Sequence, residues 1–177
     1  MTEIFIPNII EYSLCIEAGN INKNINNIIK KKLRDEIEGK CIKEGYVKKK
    51  SIKILNRSLG EVLASHFNGS ILYHIKLKLE VCNPLEGTII KGIIKNINKM
   101  GILAESGDGD PPPLSILLAK QHHVDNTAFE NLQLGDEISI KIIGKRFEFG
   151  DVQINIIGIL ETDPKKDPET AEELVSL

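Results

Sequence analysis

Apolar and polar residues alternate with period two along most of this chain, and one stretch switches to the helical period. Glu3–Ile6 alternates like a strand, and a polar loop follows it. Ile21, Ile25, Ile28, Ile29 and Leu33 then recur every three or four residues as far as Ile37, with Gly39 at the stop, which predicts one amphipathic helix. From Lys40 onward the period falls to two, and residues 41–47, 51–56, 58–65 and 71–82 read as strands. In the last of these Tyr73, Ile75, Leu77 and Leu79 lie opposite Leu72, His74, Lys76 and Lys78. A helix packed on an antiparallel sheet satisfies both periods.

Asn83-Pro84 interrupts the pattern, because the residue before a proline is held extended and proline cannot join a central ladder. Five further strands are expected at 87–97, 100–105, 113–119, 136–144 and 152–160. The turn-rich Glu-Ser-Gly-Asp-Gly-Asp-Pro-Pro-Pro separates the second from the third, and a polar segment with a helical turn separates the third from the fourth. Five short strands so arranged predict a small closed barrel of the oligonucleotide-binding (OB) type. The expected organisation is an α+β domain at 1–83, an all-β barrel at 84–160 and an acidic tail at 161–177.

Charge sharpens this division. The whole chain of 177 residues carries a net charge of -2, which excludes a strongly basic nucleic-acid binder. Residues 1–83 carry 14 Lys+Arg against 9 Asp+Glu, whereas residues 84–160 are net -3 and residues 161–177 net -4. The tail has two Asp-Pro steps and little apolar content, so it is expected to stay solvated. Cys15, Cys41 and Cys82 have no paired spacing, so neither a disulfide framework nor a zinc site is expected, and a reducing compartment fits. No leader segment and no apolar run of membrane-spanning length is read.

Phosphate-binding glycine loops, nucleophile elbows and His-Glu-x-x-His pairs are all missing, so neither catalysis nor a cofactor is expected. His122-His123 with Asp125 lacks further ligands at a suitable spacing, and Asp108-Gly109-Asp110 lacks the remaining oxygens of a calcium loop. No metal site is expected.

The string Asn83 to Glu105, with Glu86-Gly87 and Met100-Gly101-Ile102-Leu103, resembles the opening of the RNA-binding OB barrel of ribosomal protein S-one. Leu134-Gly135-Asp136-Glu137-Ile138 matches that family's step into strand four. Upstream stand the helix ending Glu38-Gly39-Lys40-Cys41, the Gly45-Tyr46-Val47 step, the Asn68-Gly69-Ser70 turn and the long strand into Val81. In this order they resemble the two-domain stalk subunit of multisubunit RNA polymerases, the archaeal E-prime and eukaryotic subunit-seven family. The Ile-, Asn- and Lys-rich composition is similar to that of a large DNA virus's copy.

The resemblance implies a truncated ribonucleoprotein (RNP)-like first domain and an S-one-type barrel. It implies a non-catalytic subunit that docks on the polymerase core, joins a helical stalk partner that a viral version could lack, and presents the barrel to nascent single-stranded RNA. It also implies the nucleus or, for a virus, the host cytoplasm, virus factory and virion. A free-standing single-stranded RNA-binding protein of translation or RNA decay is the alternative.

The resemblance implies a docking tip at His66, Phe67, Asn68, Gly69 and Ser70, where Phe67 is either an exposed anchor or folded inward. RNA contact falls on Lys91, Lys95 and Lys99, whose even spacing puts them on one strand face, on Met100, and on Lys141, Lys145, Arg146, Phe147 and Phe149. The Lys-Arg-Phe-x-Phe hairpin is either a stacking clamp or a solvated turn with two core anchors. Met100, Ile102 and Ile116 stand where this barrel family places aromatics, so RNA affinity is expected to be weak. Lys30-Lys31-Lys32 reads as a solvated helix face, and Lys48-Lys49-Lys50 as material for an acidic partner surface.

Overall fold

The computed structural model describes residues 4–64, 68–123 and 127–161. The first sheet is organised around one long strand. β1 (Phe5–Ile16) leads through a 3-10 turn into α1 (Ile25–Ile37), followed by β2 (Cys41–Ile42), β3 (Gly45–Val47), β4 (Lys53–Arg57), β5 (Glu61–Val62) and β6 (Ile71–Cys82). All twelve residues of β6 pair antiparallel with β1. Its other edge is filled in turn by β5 at Ile71–Leu72, β4 at Ile75–Lys78 and β3 at Val81–Cys82.

The two periods then meet as the sequence requires. Tyr73, Ile75, Leu77, Leu79 and Val81 form the buried face of β6 and share a core with Ile10, Leu14 and Ile16 of β1 and with Ile29, Leu33 and Ile37 of α1. Each such aliphatic side chain removed from water contributes about 1.5–3 kcal/mol. The helix stops where Gly39 takes φ +71, a left-handed value that glycine reaches at little cost.

Three expectations for this half need correction. β1 runs twelve residues, well past Ile6, because Ile10, Tyr12, Leu14 and Ile16 continue the alternation and the whole of β6 is there to pair with it. The helix begins at Ile25, since Ala18–Asn20 close a 3-10 turn and Asn22 accepts the Asn24 N–H through its side chain. Of the strand expected at 58–65, the described residues that form a strand are Glu61–Val62.

β7 (Ile89–Asn98), β8 (Gly101–Ser106), β9 (Leu114–Ala119), β10 (Glu137–Arg146) and β11 (Ile154–Leu160) close a five-stranded barrel in the order β10-β11-β9-β8-β7. Only β9 and β11 run parallel. A 3-10 turn (Lys120–His122) and the short α2 (Thr127–Glu130) lie between β9 and β10. Ile90, Ile94, Ile102, Ile116, Ile140 and Ile156 are at the centre of an almost wholly aliphatic interior.

That interior continues into the first sheet, for Cys41, Tyr46 and Cys82 are buried in the same cluster. Polar contacts tie the seam. Cys41 N–H donates to the Asp151 carbonyl at 2.6 Å, and Gly150 N–H to the Cys41 carbonyl at 2.9 Å. The Lys145 ammonium donates to Asn83 Oδ1 at 2.5 Å and to the Pro84 carbonyl at 2.9 Å, and Lys49 reaches the Asp110 carbonyl at 2.7 Å.

Burial, and then the neighbouring Asp151, push the Cys41 thiol up to about 12; burial, and then Cys41, do the same for Cys82. Both stay protonated near neutrality and are poor nucleophiles. Ellman's reagent at pH 8 is expected to leave these two thiols unreacted until denaturant is added. In the unfolded chain they ionise near 9, so the folded state binds more protons between about 9 and 12, and stability falls as pH rises through that window. Urea midpoints measured at pH 8 and pH 10 check the sign.

Candidate functional site

The described site residues divide among three places. Strand directions settle the first division: β7 and β10 are antiparallel, with Glu137 opposite Ile93 and Lys141 opposite Ile89. The β7–β8 turn at 99–100 therefore lies at one end of the barrel. The β10–β11 connection at 147–153 lies at the other, beside the first sheet.

At the far end Lys99 and Met100 form the turn, with Met100 78% exposed and its carbonyl accepting the Lys120 N–H at 3.0 Å. Asn98 Oδ1 accepts the N–H groups of Met100 and Gly101. Lys120, exposed beside this turn, is a cation that sequence reasoning passed over. Lys91 and Lys141 are exposed on the outer wall formed by β7 and β10, and Lys91 is paired with Glu137 at 2.9 Å.

The single-face expectation for Lys91, Lys95 and Lys99 does not hold. A register shift between Ile94 and Asn96 makes Lys95 an extra residue on β7, and Lys99 lies beyond the strand. Such a bulge resets the alternation on which the even-spacing argument rests.

At the near end the five hairpin residues do different work. Lys145 is half-buried and bound to Asn83 and Pro84. Arg146 is exposed and pairs with Glu148 at 3.1 Å. Phe147 packs against the barrel core, whereas Phe149 is 68% exposed. Ile102 and Ile116 are fully buried in the barrel and present no face to a base.

The outer wall also carries a groove of about 510 Å3. Leu103, Leu117 and Ile157 line it with Gly144, Lys145 and Arg146. Gly144 pairs directly with Ile157, and its missing side chain opens the space.

The third place is the connection from β5 to β6. Ser70 N–H donates to Asn68 Oδ1 at 3.1 Å, and Gly69 takes φ +66. His66 and Phe67 lie outside the described residues, as do Asp125 and the tail from Thr162. Sequence reasoning missed two exposed aliphatic residues, one before β5 and one within it: Leu59 is 91% and Val62 69% exposed. Their signal was present but ambiguous, because alternation cannot say whether the apolar face of a strand is covered.

Of the three consecutive lysines at 48–50, two are used within the chain. Lys48 pairs with Glu80 at 2.7 Å and lies 4.9 Å from the Phe5 ring centroid, and Lys49 holds Asp110.

His123 belongs to the barrel's structure. Leu160 N–H donates to its Nε2 at 2.9 Å, so Nδ1 carries the proton and donates to the Ala119 carbonyl at 2.8 Å. The ring stacks on Phe129 with centroids 4.3 Å apart. His123→Ala strands both backbone groups and leaves a void, an expected loss of about 2–4 kcal/mol in urea titration, against less than about 0.5 for His122→Ala. Among the described residues no group of three or more His, Cys, Asp or Glu side chains could hold a metal ion.

No family model matches the chain. It is 22% identical to DNA-directed RNA polymerase II subunit RPB7 of Glycine max, across 91% of this chain and 98% of that one. Over the same shares it is 24% identical to DNA-directed RNA polymerase II subunit 7 of Arabidopsis thaliana. A DNA-directed RNA polymerase subunit of Acanthamoeba polyphaga mimivirus is 23% identical across 77% of this chain and 72% of its own.

Proposed function

We propose that this chain is a non-catalytic stalk subunit of a DNA-directed RNA polymerase. One observation carries the reading: similarity to the RNA polymerase II subunits of two plants runs through 91% of the chain and 98% of each relative, so it takes in both the first sheet and the barrel. In this reading the first sheet and α1 are a truncated RNP-like domain, the barrel is an S-one-type OB fold, and the division falls at Asn83-Pro84.

The first domain docks on the polymerase core through the β5–β6 tip. Asn68, Gly69 and Ser70 shape the turn there, and Leu59 and Val62 offer aliphatic surface of the kind that anchors an interface. The barrel projects toward nascent RNA, with Lys99, Met100 and Lys120 at its outer end and Lys91, Lys95 and Lys141 along β7 and β10. The RNA contact is weak. Phe149 is the one aromatic among the described site residues that is largely exposed, and the residues from 84 to 160 are net -3. The viral relative supports a place in a viral polymerase as readily as in a nuclear one.

Affinity purification of the tagged chain from its native cells, followed by mass spectrometry, is the test. Recovery of the large catalytic polymerase subunits supports the reading. Their absence, together with tight RNA binding by the chain alone that weakens steeply with salt, would favour the free-standing RNA-binding protein.

A further inference from the structure

We propose that the open face of the first sheet binds an acidic, leucine-bearing segment of a partner protein, with Lys53 and Lys78 as its receptors. α1 covers the opposite face, where Tyr73, Ile75, Leu77 and Leu79 of β6 are buried. The alternate residues of β6 point the other way, and His74, Lys76 and Lys78 are exposed there. The barrel covers one end of this open face, where Phe5 and Cys82 pair and join its core.

Charge on the open face is out of balance. Lys78 stands directly opposite Lys53 of β4, and like charges so placed repel. The carboxylates nearest along the sheet are already engaged, Glu80 with Lys48 at 2.7 Å and Glu11 with Lys76 at 3.2 Å. Among the described residues neither Lys53 nor Lys78 has an ion-pair partner. A pair of carboxylates supplied from outside removes the repulsion and gives each ammonium a counter-charge.

The surroundings of the two lysines select protein over nucleic acid. Ile9, across from Lys78 on β1, is 61% exposed, and Leu55, the extra residue where β4 shifts register, is 54% exposed. Aliphatic surface beside two cations matches carboxylates that flank a leucine. Stacking of bases needs free aromatic faces. Phe5 and Tyr46 are packed into the seam with the barrel, which leaves only the His74 ring among the described residues of this face. The inference stands apart from the polymerase reading, and its test uses the chain alone.

Fluorescence anisotropy of the full chain with a short labelled peptide of aspartates and glutamates around two leucines is the test. Binding that weakens with added salt is expected, and Lys53→Glu with Lys78→Glu should weaken it on the order of tenfold. Lys30→Glu with Lys31→Glu makes the same change in net charge on the exposed side of α1, and its affinity should stay within about twofold of the parent. Lys78→Glu alone makes the opposed pair attractive, so it should weaken peptide binding and raise the urea midpoint together. A peptide that stays free, equal losses in the two double variants, or a lowered midpoint for Lys78→Glu overturns the proposal. So does tighter binding of single-stranded RNA of equal charge through the same two lysines.

Discussion

Gly101→Val is expected to destabilise the protein by about 4 kcal/mol and to lower the thermal midpoint by roughly 10 °C. Gly101 opens β8 with φ +151, a region that a β-branched residue scarcely enters. A Cβ there would also run into the carbonyl of Leu118 on β9, the strand that β8 pairs with next. Relief requires moving either the β7–β8 turn, whose N–H groups Asn98 holds, or the β8–β9 ladder. Both border Ile102 and Leu118 in the fully buried interior. Gly144→Ala is the control: its Cβ meets open space, and a change within about 0.5 kcal/mol is expected. Urea titration of the two variants reads the difference, and a Gly101→Val protein as stable as its parent would mean that the turn is not held as described.

Leu59→Asp combined with Val62→Asp is expected to weaken retention on the polymerase core on the order of a thousandfold while leaving the melting temperature unchanged. Truncating an interface anchor commonly costs about 2 kcal/mol, and two such anchors give about three orders of magnitude in affinity. The fold should be indifferent, because both side chains are mostly in solvent and no buried partner depends on them. Titration of the variant against purified core enzyme measures the effect. Unchanged affinity would move docking away from this end of the first sheet.

Parts of the candidate site were legible before any coordinates. Asn68-Gly69 marks its turn because glycine takes the left-handed angle of Gly69 readily, whereas Met100, which reads as the first residue of a strand, is an exposed turn residue before β8. Lys145 was harder to read. In the sequence it is a cation beside a hairpin, whereas in the fold its ammonium crosses to Asn83 and Pro84, more than sixty positions earlier. Leu59 and Val62 failed in the opposite direction, since their place in a segment that reads as a strand implied a cover that nothing among the described residues provides.

The sequence by itself determined local geometry: the period of β6, the amphipathic stripe of α1 with its glycine stop, and five short apolar strands able to close a barrel. These features arise from interactions within a few residues, so a linear pattern records them. Tertiary structure alone decided which residues share a surface. Lys99 and Phe149 stand at opposite ends because β7 and β10 run antiparallel, and one extra residue at Lys95 ended the run of lysines on a single face. Tyr46 and Cys82 join the barrel's core through packing across the seam, a long-range outcome that no spacing along the chain encodes.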